Sequence, residues 1–243
     1  MAEDVVKSVG RVFEVLELFG SSRQPLNATQ VERRLQYPQS STLALLKSLV
    51  KLGYLSFDRI EHSYFPTMRF ANLGRWLKVD ASGDRHLLAA LAGVSLATGH
   101  TVALACQNDL QMQWVQIWPG PRPVAADIAI GETTPLFASM IGKVSLSAMP
   151  DEHIARLVHR FARTCGDDVD LEVLMADIEK IRQRGHGIGP NRTKDADAIL
   201  AWPWTAGDSG RAMAFALISD SSMIGADRDK LIGIVRQALH PYS

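Results

Sequence analysis

Between residues 39 and 51 the chain reads "QSSTLALLKSLVK", and the side chains there that can do chemistry are Gln39, Ser40, Ser41, Thr42, Lys47 and Lys51. A glutamine can bond an adenine edge at two points, hydroxyls donate or accept, and a lysine neutralises a phosphate. A helix that opens on short polar residues also presents its first amides and its positive dipole end to an acceptor. Leu43 and Ala44, on or near the same outer face, suit thymine methyl groups. The chemistry implied is recognition of a nucleic-acid duplex. The competing reading is a small helical module that binds protein, with the hydroxyls serving only as caps.

Three helices and a hairpin must position that face. Val5, Val9, Val12, Phe13, Leu16 and Phe19 recur at helical spacing and predict a first amphipathic helix, ended by Gly20 and "SSRQP". "LNATQVERRL" predicts a second, with Asn27 as N-cap and Gln30 three residues on, the pattern of a capping box. Pro38 separates it from the third, in which Leu45, Leu46, Leu49 and Leu52 are expected inward and Gly53 terminal. "YLSFDRIEHSYFP" then alternates and turns as a short hairpin. Three helices and a hairpin are the plan of a winged helix-turn-helix, whose third helix enters the major groove. The hairpin would reach over the adjacent backbone with Arg59 and His62.

The chain of 243 residues is neutral overall, but residues 1–76 hold 10 Lys/Arg against 7 Asp/Glu and the remainder the opposite imbalance. That is the sign expected for a nucleic-acid head on an acidic body. Two cysteines, Cys106 and Cys165, sit far apart without a Cys-x-x-Cys cluster, which argues against structural zinc and a disulfide framework. The N-terminus lacks the order of a signal peptide, and no apolar run approaches the roughly 18 residues of a membrane span. A reduced, cytoplasmic protein with no membrane partner is expected.

Beyond residue 66, "MRFANLGRWLKV" is too apolar for one face of a short helix to hide. It is either a core helix or a linker pairing with another subunit, and "VDASGD" (79–84) is the best hinge. A helix from Arg85 to near Gly99 follows. "TVALACQ" and "QWVQIW" predict a strand hairpin, "VAADIAI" another strand, and Pro135 the start of a helix reaching Met149. A helix over "LEVLMADIEKIRQR" with Val173, Leu174, Ile178 and Ile181 inward, strands "AILAWPW" and "RAMAFALIS", and a last helix through Leu231, Val235 and Leu239 complete the pattern. The class is α+β, one curved antiparallel sheet flanked by helices.

At "SVGRVFEVLELFG", "YPQSSTLALLKSLVKLGYL", "YFPTMRFANLG", "GETTPLFASMIGK" and "IRQRGHG", in that order, the sequence resembles the IclR family of bacterial transcriptional regulators. The resemblance implies a winged helix-turn-helix in 1–66, a linker helix and hinge in 67–84, and a GAF/profilin-like effector-binding domain in 85–243. It implies double-stranded operator DNA, a small organic acid effector, and a dimer or dimer of dimers. DNA contacts are expected from Arg11, Gln39, Ser40, Ser41, Thr42, Leu43, Lys47, Arg59 and His62. Ala44 departs from the arginine that family members usually carry before the paired leucines, which puts more weight on Lys47, Arg11 and the wing. The family's carboxylate site maps onto Met140, Ile141, Gly142, Gly189, Ile199, Leu217 and Ser219. Most are larger and more apolar here than in well-known members. Either the pocket takes a hydrophobic or aromatic acid, with help from Trp114, Trp118, Trp202 or Trp204, or the side chains fill it and the domain only pairs DNA heads.

An enzyme is the rival class, and little supports it. The glycines of "GHGIGPN" follow a helix instead of a strand, so a helix stop and turn is the expectation and not a dinucleotide loop. The seven histidines include no His-x-x-x-His pair, "SDSS" lacks the glycines of a nucleophile elbow, and Cys106 in an apolar strand is expected buried and inert. No catalytic residue, metal ligand or cofactor is assigned.

Overall fold

Val15, Leu16 and Phe19 lie within about one helical turn of one another. In the computed structural model, which describes residues 6–73, 83–121, 128–166, 168–190, 197–206 and 211–239, they anchor the first of two units. The units are Met1–Leu77 and Lys78–Ser243. Residues 79–82 of the hinge expected at 79–84 and the linker residues Trp76 and Leu77 fall outside the described residues, and Gly83 and Asp84 of that hinge open a helix.

The first unit runs α1 (Lys7–Ser22), β1 (Leu26–Asn27), α2 (Ala28–Leu35), α3 (Gln39–Lys51), β2 (Leu55–Asp58), β3 (Ser63–Pro66) and α4 (Met68–Asn72). Asn27 and Gln30 close the expected capping box, with Gln30 N donating to Asn27 Oδ1 at 2.9 Å and Asn27 N to Gln30 Oε1 at 2.8 Å. β3 is the middle strand of an antiparallel trio, between the hairpin partner β2 and the two-residue β1, which was not anticipated. Leu26, Val31, Leu46, Leu49, Leu55 and Tyr64 join the α1 residues in one core.

Three inward assignments change. Val9 and Phe13 are 49% and 57% exposed, and Leu52, at the C-cap of α3, is 59% exposed. The core of three short helices is too small to cover the first two turns of α1, and Leu52 lies where α3 has already ended.

The second unit comprises α5 (Gly83–Thr98), β4 (Thr101–Asn108), β5 (Gln111–Trp118), β6 (Thr133–Pro135), α6 (Met140–Ser147), α7 (Asp151–Cys165), α8 (Leu171–Arg184), β7 (Gly187–Pro190), β8 (Asp197–Ala206), β9 (Arg211–Asp220) and α9 (Ser221–Leu239). The six strands form a curled sheet, antiparallel throughout, in the order β6-β5-β4-β9-β8-β7. One face packs under α6, α7 and α8, and the other carries α5 and α9.

The differences from expectation have local causes. Pro135 ends β6 instead of starting a helix; α6 begins at Met140 behind an N-cap from Ser139, whose Oγ accepts from Gly142 N at 3.1 Å. Residues 124–127 of the expected "VAADIAI" strand lie outside the described residues, and Ile128–Ile130 are not in a strand. α7 has no counterpart in the sequence reading, although Ile154, Leu157 and Val158 recur at helical spacing and are buried. Gly185 stops α8 in a left-handed conformation as expected, but the glycines beyond it form the edge strand β7. Val173 is 57% exposed, and Cys106 is half-buried.

The tightest approach in this unit is at Gly142, where a Cβ would stand 1.9 Å from the Leu136 carbonyl oxygen. Both groups are backbone, so neither can rotate away. Gly142→Ala is expected to cost about 3 kcal/mol or more, read as a lower urea midpoint by tryptophan fluorescence. Gly93→Ala on α5, which meets nothing within 4 Å, should leave the midpoint unchanged or raise it.

Candidate nucleic-acid interface and effector pocket

Leu46 and Leu49 turn one face of α3 into the core, and the opposite face is thereby set. Ser40, Ala44, Lys47 and Lys51 follow one another along it at helical spacing and are exposed, with Ser48 beside them donating to the Ala44 carbonyl at 2.8 Å. Pro38 at the N-cap offers no side-chain bond, so no side chain caps the first amides of the helix. Gln39 stands exposed at that end, and Ser41 and Leu43 are half-buried. Thr42 is 1% exposed and bonds its Oγ1 back to the Pro38 carbonyl at 3.2 Å, so it braces the helix start and does not reach a duplex. Lys51 lies on the outer face as its spacing from the leucines implied, and Ser48, which was not among the expected contacts, joins it once Leu46 and Leu49 define the buried side.

The wing is the turn between β2 and β3. Asp58 Oδ1 accepts from the amides of Ile60 at 2.8 Å and Glu61 at 3.1 Å, and those bonds hold its carboxyl below the usual carboxylate range. Arg59 and His62 are exposed there, with His62 at φ 50° and its ring beside Phe57. Arg11 sits elsewhere: its guanidinium lies 4.8 Å from the centre of the Tyr37 ring, whose hydroxyl donates to Glu14. Burial, followed by the Glu14 hydrogen bond and charge, pushes the Tyr37 phenol up to about 12. Arg11 is thus half-buried and engaged in tying α1 to Tyr37, two residues before α3.

In the second unit the expected pocket residues divide. Met140, Ile141, Gly142 and Ile199 lie on the α6 side of the sheet, and Gly189 faces them: a Cβ on it would meet Met140 Cε at 2.7 Å. Leu217 belongs to the opposite core, with α5 and α9, and Ser219 has the same strand parity. Ile218, directly across from Ile199, is the β9 residue that shares their face. The same division corrects the tryptophans, since Trp114 packs on the α6 side but Trp118, Trp202 and Trp204 on the other. The Met140 side chain covers both Gly187 and Gly189, and one turn beyond Ile141 the fully buried Ser145 hydroxyl has no hydrogen-bond partner among the described residues. Lys143 Nζ bonds Asp177 Oδ2 at 2.7 Å and ties α6 to α8. Among the described residues no group of three or more His, Cys, Asp or Glu side chains could hold a metal, and no helix is long and apolar enough to cross a membrane.

A three-helix head with a wing, on a chain whose other domain is a helix-flanked antiparallel sheet, defines a DNA-binding transcriptional regulator. Two family models agree: the IclR helix-turn-helix domain matches residues 8–59, and the bacterial transcriptional regulator IclR C-terminal matches residues 85–238. The chain belongs to the IclR family of bacterial transcriptional regulators. It is 22% identical over 202 residues to the HTH-type transcriptional regulator XynR of Escherichia coli K12, covering 82% of this chain and 80% of that protein. It is 25% identical over 191 residues to the Pca regulon regulatory protein of Pseudomonas putida, covering 75% of this chain and 63% of that one. The p-hydroxybenzoate hydroxylase transcriptional activator of Acinetobacter baylyi is 29% identical over 160 residues, 62% of this chain and 56% of the activator. The chain therefore spans less than two thirds of these last two relatives. Among solved structures, an IclR-type regulator from Alicyclobacillus acidocaldarius superposes with a TM-score of 0.57 at 19% identity, covering 97% of this chain and 96% of that one. The effector domain of an IclR regulator from Acinetobacter sp. ADP1 gives 0.57 at 21% identity over 65% of this chain and 94% of that one.

The Lys143 hydrogen bond holds the Asp177 carboxyl below its ordinary value of 3.8. A lowered carboxyl contributes stability that is present above the unfolded-state value and lost as pH falls through the folded-state value. Both groups are partly exposed, so Asp177→Asn is expected to cost only about 1 kcal/mol at pH 7. In urea titrations at a series of pH values the gap from the parent protein should narrow once pH drops below 3.8. A gap that stays constant through that range would mean the ion pair is not its source.

Proposed function

We propose that this regulator acts in the cytoplasm as a dimer or dimer of dimers on operator DNA. A small organic acid with a hydrophobic or aromatic body, held between α6 and the sheet, changes its operator affinity. The observation that carries the effector reading is the pairing of a movable cover with a buried polar anchor. The Met140 thioether lies over Gly187 and Gly189, and the buried Ser145 hydroxyl on the same helix has no partner among the described residues. A buried hydroxyl without a bond costs on the order of 1–3 kcal/mol, a cost that a ligand or water removes, and an unbranched methionine repacks readily. An apolar pocket with few polar anchors is the usual form of a small-molecule site. The relative named as the p-hydroxybenzoate hydroxylase transcriptional activator, a name that contains an aromatic carboxylate, agrees with that chemistry.

The DNA face would be read by Gln39, Ser40, Lys47 and Lys51 on α3, with Ser41 and Leu43 at its margin and Arg59 and His62 on the wing. Arg11 would act by positioning α3 through Tyr37. Self-association is supported by an uncovered apolar stripe on α1, where Val6, Val9 and Phe13 are exposed, and by Met68 and Leu73 at α4. The second reading, a domain that binds no effector and only pairs heads, is favoured by the same Met140 side chain, which fills the space over the two glycines.

Fluorescence anisotropy with the DNA upstream of the protein's own gene tests the head. Lys47→Ala with Arg59→Ala should weaken binding at least about tenfold, and the log–log salt slope should fall by about 2 as two phosphate contacts are lost. Unchanged affinity and slope would remove both residues from the interface. Repeating the titration with a panel of aliphatic and aromatic carboxylates tests the effector domain. Met140→Ala should lower the concentration of acid needed for half the response, whereas a domain that only pairs heads gives no response in either protein.

A further inference from the structure

On β7 the side-chain alternation that points Gly187 and Gly189 at α6 points His186 and Ile188 at the other face of the sheet, toward α9. There Arg184, His186 and Ile188 on one side and Arg228, Asp229 and Ile232 on the other line a cleft of about 350 Å³. The two isoleucines are half-buried and supply an apolar floor, and Trp202, stacked on Phe215, stands beside the His186 ring at 6.1 Å between centroids.

The charges around the cleft are unbalanced. Arg184 has no carboxylate partner among the described residues. Arg228 Nε bonds Asp229 Oδ1 at 3.1 Å, an exposed pair of the kind that contributes little, and its two terminal nitrogens are not used in that bond. Arg236 on α9, with Arg184 and Arg228, is close enough to His186 to act on its charge, whereas Asp229 is the one carboxylate among the lining residues. Burial holds the His186 imidazole below its ordinary value; the bond of Nδ1 to the Arg184 carbonyl at 3.0 Å opposes this, the three arginines add to it, and Nε2 is the nitrogen left for a ligand. A negative ligand relieves that repulsion, and a guanidinium fork suits the planar oxygens of a carboxylate or the tetrahedral oxygens of a phosphate.

We infer that the cleft between β7 and α9 is a second ligand site, taking a small oxyanion that carries a compact apolar body. Arg184 and Arg228 hold the oxygens, His186 donates to them, and Ile188 and Ile232 receive the apolar part. The site is independent of the α6-side pocket, because the sheet lies between the two. Either can therefore exist without the other.

The test uses the full-length protein labelled with 13C-histidine, with the His186 ring signal assigned by His186→Gln. Benzoate and inorganic phosphate are the probes. Benzoate is expected to move the His186 signal saturably, with half-saturation on the order of 1 mM or below. It should also raise the His186 pKa by about one unit, a tenfold preference for the protonated ring. Arg184→Gln with Arg228→Gln, both exposed positions, should weaken this response at least tenfold, whereas Met140→Ala should leave it unchanged. Phosphate should act at least tenfold more weakly, since it leaves the isoleucines uncovered. A His186 signal that benzoate does not move, or a response indifferent to loss of both arginines, overturns the site. Equal responses to the two probes overturn the apolar part of the ligand.

Discussion

β8 and β9 run side by side near the middle of the sheet, and each has to satisfy two cores at once. The face toward α6 carries Ile199, Ala201, Ala214, Ala216 and Ile218, while the face toward α5 and α9 carries Leu200, Trp202, Phe215 and Leu217. Small side chains thus dominate one face and large ones the other, and β7 continues the pattern with Gly187 and Gly189 on the α6 side. This asymmetry lets α6 come down on the sheet until Gly142 rests against the Leu136 carbonyl. A slip of one residue between the strands would exchange the faces and put Trp202 and Phe215 where α6 now packs, so the register is strongly defined.

The location of both candidate ligand sites follows from that packing. On the α6 side the space left over small residues is taken by Met140, a side chain with three rotatable bonds. On the other side a cleft remains between the end of β7 and α9, lined by charged side chains with two isoleucines. The first is covered by Met140. The second is open and cationic. Two such sites would bias a regulator differently, because a ligand shifts only those states it binds unequally.

In the head, the placement of α3 depends on groups outside it. Tyr37 sits one residue ahead of Pro38, sandwiched electrostatically between the Arg11 guanidinium above its ring and the Glu14 carboxylate at its hydroxyl. That arrangement fixes where the helix begins, and Thr42 secures its first turn from inside. The outer face is then a stripe of small and cationic side chains with Ala44 at the position where an arginine is usual in the family. Recognition would rest on the exposed helix start, on Lys47 and Lys51, and on the wing, and two heads acting together would multiply these modest contacts.

Local rules made much of this legible in advance. The Asn27–Gln30 capping box, the stop at Gly185 and the buried stripe of Leu46 and Leu49 each depend on residues a few positions apart, and the chain adopted them as its spacing implied. The winged helix-turn-helix and the α+β class followed from the order of such segments. Leu217 and Ile218 mark the limit: both are apolar, both are buried, and only pairing with β8 decides which one faces α6. Thr42 is buried by the packing of the helices around it, and Arg11 meets the Tyr37 ring only because that packing brings α1 beside it, neither of which spacing along the chain displays. The cleft between β7 and α9 had no sequence signal, because its arginines lie more than forty residues apart and the sheet alone brings them together. Spacing along the chain determined which elements form and which of their faces are apolar; which buried residue meets which, and what space remains between them, was decided by the strand register and the approach of the helices.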